Sequence, residues 1–182
     1  MDDVGEDARL ILPLVGGGAL AIALGAQISI PMVPVPTTLQ TLAVVAVGLL
    51  GGPRAGAGAA GLYLLLAVLG LPVLAEGARH GGWAFVELTS AGYVVGFVPG
   101  AALAGWLGHR RSLARAAAAG VAAHAVVLAI GVSVLAAHIG PGAAIEYGLL
   151  PFLVGAVVKG IGAAALVAAT RQVLPSPPAA SS

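Results

Sequence analysis

The chain has 182 residues, of which 59% are hydrophobic and only 8% charged, with a formal net charge of +1 and no cysteine. A soluble fold of this size carries roughly a quarter charged residues on its surface, so the composition excludes a soluble domain and points to an all-α integral membrane protein. The near-neutral charge gives nothing for nucleic acid to bind, and the lack of cysteine excludes disulfides, thiolate metal sites and thiol nucleophiles.

The first nine residues, MDDVGEDAR, are acidic and are expected to form a short cytoplasmic segment. The apolar run that follows is too long for the core of a cleaved signal. A spanning helix needs about 20 mostly apolar residues. Six segments come near that length: 10–30, 37–50, 55–71, 88–107, 113–137 and 149–173. The expectation is one bundle of six transmembrane helices over residues 10–173, followed by a disordered Pro/Ser-rich tail, PSPPAASS, within 174–182. The glycines and alanines of the first segment recur at four-residue spacing, as Gly17, Ala21 and Gly25 and as Ala19 and Ala23. Such stripes let a second helix backbone approach closely, inside the bundle or in a partner.

After the first segment comes IPMVPVPTTLQ, residues 30–40, with prolines at 31, 34 and 36. Alternating prolines lack N–H donors and favour a stiff, extended path. Irregular backbone at membrane depth persists only when buried in protein or lining a cavity. The segment therefore reads either as a lid with Thr37, Thr38 and Gln40 turned to a ligand, or as a rigid connector with Thr37 or Thr38 as an ordinary helix cap. GGPR, 51–54, is a tight turn between the second and third segments. With an even number of spans, Arg9, Arg54, Arg110, Arg111, Arg115 and Arg171 fall on one side and Arg79 alone on the other. The side rich in arginine is expected to be cytoplasmic, with both termini on it.

The outward loops, 31–36, 72–87 and 138–148, are the longer ones, which suggests an outward binding face. Arg79, followed by His80 and a Gly-Gly pair, is either a bidentate carboxylate partner or a solvated loop residue. ELTSAGYVVGF, 87–97, opens the fourth segment. Thr89 or Ser90 is placed to cap it, and Tyr93 offers a ring and a hydroxyl. His124 and His138 share a helical face and read as a packing residue and an interfacial one. Lys159, the only lysine, stands about ten residues into the last segment. An ammonium at that depth faces the bundle interior with a partner, or snorkels to the interface. One turn earlier stands Ala156 rather than an acid, so an anionic ligand is a candidate for the missing partner. No phosphate-binding loop, HExxH or GxSxG motif is present, which argues against an enzyme.

Three stretches carry a family resemblance: AQISIPMVPVPTTLQTLAVVAVGLLGGPRAGAGAAGLYLLLAVLGLPVLA (26–75), SAGYVVGF (90–97) and PFLVGAVVKG (151–160). Through them the chain resembles the BioY family, the substrate-binding S components of biotin ECF transporters. The resemblance implies a six-helix bundle holding one biotin beneath its outward loops, with no cofactor. It implies delivery across the cell membrane in partnership with a transmembrane coupling subunit and two ATP-binding subunits. It maps the last-helix lysine onto Lys159 and the aromatic of the fourth-helix motif onto Tyr93, and it matches the coupling-subunit contacts to Ala19 and Ala23. The ligand-binding candidates are thus Thr38, Gln40, Arg79, Ser90, Tyr93 and Lys159. Two positions depart from the family pattern. Ala156 stands where the family usually has aspartate, and LTSAG, 88–92, replaces its glycine-rich run. An S component for another small anionic vitamin, and a structural membrane protein without ligand, are the alternatives.

Overall fold

The computed structural model describes residues 3–173, and the side chains of 11–172. The tail 174–182 lies outside the described residues, as do Met1 and Asp2. Helix α1, Asp3–Gln27, starts within the acidic segment, so the chain is helical before the apolar run begins. It ends at Gln27 rather than at residue 30 because Ser29 and Ile30 form strand β1, which pairs antiparallel with β2, Thr37–Thr38. Pro31 also disfavours the helical conformation for the residue before it. The prolines of 31–36 form the excursion closed by this two-stranded ribbon, with Ser29 opposite Thr38 and Ile30 opposite Thr37.

Helix α2, Gln40–Val68, merges the second and third expected segments across a break at Gly52, whose φ of 78° and ψ of −177° only glycine adopts without strain. Pro53 follows, where a first-turn residue needs no N–H donor. The two arms, 40–51 and 53–68, fold back on each other. A straight helix would hold residues 40 and 63 about 35 Å apart, yet the Gln40 side-chain amide donates to the Tyr63 hydroxyl. Gly48 and Gly56 sit at the closest approach of the arms, where a Cβ on Gly56 would lie 2.8 Å from Gly48 Cα.

A loop containing the 3-10 turn Ala75–Gly77 leads to a short helix α3, Trp83–Val86, and then to α4, Ala91–Gly108. Helix α5 covers Leu113–Ile139, α6 covers Pro141–Gly148 and α7 covers Leu150–Val173. The expected outward loop at 138–148 is thus mostly helical, with Pro141 at its first position, where proline is favoured. Around the bundle, α1 packs on α2, α2 on α4, α4 on α5, α5 on α7, and α7 returns to α2. Small residues set the closest crossings. A Cβ on Gly120 of α5 would lie 2.7 Å from the Gly160 carbonyl oxygen of α7, and one on Gly105 of α4 would lie 2.8 Å from the Gly52 carbonyl oxygen.

One buried apolar cluster, including Ile22, Tyr63, Phe97 and Leu135, surrounds the proline end of the bundle; a second, including Leu49, Ala104, Ala116 and Val167, fills the other end. At that second end Pro53, four residues on, has no N–H to give the Leu49 carbonyl. His109 Nδ1 and an Arg171 guanidinium nitrogen donate to it at 2.9 and 2.8 Å. The outside of the bundle is apolar, with Leu20, Leu24, Val154, Val158 and Leu166 exposed. Among the described residues, α2, α4, α5 and Leu150–Gln172 are long and apolar enough to cross a membrane, and Ile11–Gln27 is a shorter apolar helix. The chain is an all-helical membrane protein apart from its two-residue strands.

Candidate functional site

A cavity of about 240 Å³ opens at the proline end of the bundle. Its walls come from every part of the fold that the chain delivers there. Pro34, Val35 and Pro36 form one side, and Leu74, Ala75, Ala78 and His80 of the loop after α2 form another. Thr38, Gln40 and Thr41 line it from the start of α2, with Leu88 to Ser90, Tyr93, Val94 and Phe97 from the start of α4. His124, Val127 and Leu128 reach it from α5, and Phe152, Ala156 and Lys159 from α7. No aspartate or glutamate is among the described residues lining it.

The proline segment is pinned at several points. The Thr89 hydroxyl donates to the Pro34 carbonyl at 2.9 Å, tying the excursion to the start of α4. The Lys159 ammonium donates to the Thr38 carbonyl at 2.6 Å, tying the ribbon to α7. Thr89 is therefore spent on the proline segment rather than on capping α4, which makes no side-chain cap bond. Nor does either threonine take the cap position of α2, which Leu39 occupies; instead the Gln40 N–H donates to Thr38 Oγ1 at 3.3 Å.

A chain of hydrogen bonds runs beneath this wall. Thr38 Oγ1 donates to Gln40 Oε1 at 2.9 Å, the Gln40 amide nitrogen donates to Tyr63 OH, and Tyr63 OH donates to the Val73 carbonyl at 3.0 Å. Gln27 adds a bond of 3.1 Å to the Leu74 carbonyl. The loop after α2 is thus held from α1 and from α2. Thr38 and Gln40 are 8% and 6% exposed, and these buried polar groups satisfy one another. Tyr63 also packs its ring against Phe97, with centroids 6.1 Å apart.

Lys159 lies at the tenth position of α7, half-buried, with its ammonium across the cavity wall from Thr38 rather than toward lipid. The Thr38 carbonyl takes one of its three N–H donors, leaving two for a further acceptor. With no acid in the lining, the cavity carries a fixed cation and no fixed anion.

Five of the six ligand candidates read from the sequence, Thr38, Gln40, Ser90, Tyr93 and Lys159, come together on this cavity. Arg79 does not: it is exposed and absent from the lining, while its neighbours Ala78 and His80 face inward. The loop alternates its side chains, and the alternation sends the arginine out. Tyr93 contributes its ring rather than its hydroxyl, which donates to the Gly148 carbonyl at 2.8 Å; the ring packs against Phe152 at 6.0 Å. The docking candidates on α1 are also turned. Ala19 is 2% exposed and Ala23 packs against the core, whereas Gly16, Gly17, Leu20, Ala21 and Leu24 face outward. The outward stripe of small residues on this helix is therefore Gly17–Ala21, offset by two positions from Ala19–Ala23.

Two lining groups outside the candidate set stand out. Thr41 Oγ1 and His124 Nε2 are buried polar atoms without a hydrogen-bond partner. Thr41 sits one residue beyond Gln40, within reach of a sequence argument. His124 lies in a mostly apolar helix, where nothing in the sequence distinguishes a cavity face from a packing face.

Comparisons with known proteins bear on the family and the fold. Residues 6–176 match the BioY family. The biotin transporter BioY of Rhizobium etli is 35% identical over 174 residues, covering 88% of this chain and 92% of its own length. The biotin transporter BioY of Thermotoga maritima is 38% identical over 149 residues, covering 81% and 86%. Among solved structures, the S component for biotin from an ECF-type ABC transporter superposes with a TM-score of 0.79 at 23% identity, covering 92% of this chain and 93% of that one. That likeness shows that the two share a fold. A family match over nearly the whole chain, with relatives that align over most of their length, makes this multi-pass membrane protein a member of the BioY family.

Proposed function

We propose that the chain binds biotin in the cavity under the proline segment and serves as the S component of an ECF-type transporter in the cell membrane. Biotin offers an apolar bicycle and chain, a ureido head and a carboxylate. A site for it needs apolar walls with a few oriented polar groups. The observation that carries the reading is the acid-free cavity with Lys159 on its wall, two ammonium donors unspent, amid Val94, Phe97, Val127 and Phe152. Lys159 pairs with the ligand carboxylate, the aromatic rings bracket its apolar part, and Thr38 and Ser90 supply polar contacts.

Counting the two arms of α2 separately, the chain makes six crossings. Both termini then lie with Arg54, Arg110, Arg111, Arg115 and Arg171 on the cytoplasmic side, and the cavity opens outward. The chain is a transport protein rather than an enzyme. Biotin delivery draws on ATP hydrolysis in two partner subunits, through a coupling subunit that contacts the outward face of α1. The names borne by its relatives support this reading.

Titration calorimetry of the detergent-purified chain with biotin is the direct test. Saturable one-to-one binding is the expected result. Absence of biotin binding, with stabilisation by a different small anionic vitamin in a thermal-shift screen, transfers the reading to that ligand. Absence of stabilisation by every such ligand refutes a substrate-binding role.

A further inference from the structure

His124 is 3% exposed, lines the cavity, and has one ring nitrogen without a partner. Its other nitrogen, Nδ1, lies 2.9 Å from the Gly120 carbonyl oxygen, one turn earlier in α5. A carbonyl only accepts, so Nδ1 carries the proton. In the neutral ring Nε2 is then a bare lone pair, a buried acceptor without a protein donor among the described residues, on a side chain that lines the cavity. Leaving a buried polar group so is costly, and the cost is recovered only when a donor reaches it. Of the other polar side chains of the wall, Thr41 and Ser90 carry hydroxyls that donate as well as accept. Lys159 is a donor alone, the Gln40 amide is engaged at both ends, and the Tyr93 hydroxyl is engaged at Gly148.

We infer that His124 Nε2 is the acceptor for an N–H group of the bound ligand, and that it selects for a ligand carrying such a donor. The inference rests on the biotin reading, in which the donor is a ureido N–H. Lys159 and His124 then divide the ligand between them: the ammonium takes the anionic end and the imidazole takes an N–H of the urea. Ala156, on the same wall, supplies no carboxylate to accept from that urea.

The test compares biotin with two analogues methylated at one or the other ureido nitrogen, using the parent and the variants His124→Leu and His124→Gln. The parent is expected to bind one methylated analogue about tenfold more weakly than biotin, the size of one good hydrogen bond. His124→Leu is expected to bind biotin about tenfold more weakly, yet to lose nothing further with that same analogue. His124→Gln, which keeps an acceptor at similar reach, is expected to recover most of the loss. Equal biotin affinity in His124→Leu and the parent overturns the inference while leaving the biotin reading intact. So does a loss in His124→Leu that is the same for biotin and both analogues. If His124→Leu does not fold, the parent alone decides: equal affinity for biotin and both analogues refutes the acceptor role. Failure of the parent to bind biotin at all removes the biotin reading and the inference together.

Discussion

Lys159 and Thr38 are 121 residues apart in sequence, yet the lysine ammonium donates to the threonine carbonyl at 2.6 Å. This one bond joins the last helix to the strand that closes the proline excursion. It holds the cation at the cavity wall with two of its donors uncommitted. Replacing Lys159 by methionine keeps much of the apolar stem and removes the charge. A charge-assisted hydrogen bond contributes roughly 1.5–3 kcal/mol. Lys159→Met is therefore expected to weaken biotin binding about ten- to hundredfold in calorimetry. An affinity within twofold of the parent would show that the ligand anion is not held there.

Arg79 provides the matching control. It is exposed and outside the cavity lining. Arg79→Ala is expected to change equilibrium affinity by less than about threefold, since an exposed charge acts on a partner through water and is screened by salt. A loss comparable to that of Lys159→Met would place the carboxylate at the loop instead.

Tyr63→Phe removes the middle of the relay from Thr38 to Val73. It strands the Gln40 amide donor and the Val73 carbonyl in the protein interior while leaving the ring contact with Phe97. The expected loss of stability is about 1–3 kcal/mol. It is read as a lower unfolding midpoint in detergent, and biotin is expected to restore part of the shift by binding the folded state. An unchanged midpoint would mean that water replaces the hydroxyl.

The fold-back of α2 turns on Gly52, where φ is 78° and ψ −177°. Any side chain at this position is strained, so Gly52→Ala is expected to destabilise the protein by about 1–3 kcal/mol. Gly105→Ala tests the same turn from outside, because its Cβ would press on the Gly52 carbonyl oxygen at 2.8 Å. Both variants are expected to lower the unfolding midpoint with little effect on the biotin affinity of the protein that remains folded. The turn lies at the opposite end of the bundle from the cavity. An affinity loss as large as that of Lys159→Met in either variant would show that the turn and the cavity are coupled.

Composition alone determined the environment: with 8% charged residues there is no polar coat, so the apolar surface must meet a bilayer. The apolar runs located the helices, because each must bury or shield a length of backbone from lipid. The single lysine, deep in the last run, pointed to a residue that the structure places on the cavity wall, since an ammonium at that depth is disfavoured against lipid. Rotation about each helix axis was not legible in the same way. In a bilayer the inner and outer faces of a helix are both apolar, so hydropathy carries no phase. Packing of small residues against neighbouring backbones sets it instead, as at Gly120 against Gly160. That is why Ala19 turned inward while Gly17 and Ala21 turned outward, and why His124 is recognisable as a cavity group only once α5 has been placed. The pairing of Lys159 with Thr38 likewise belongs to the tertiary structure alone, because a backbone carbonyl leaves no trace in the identity of the residue that carries it.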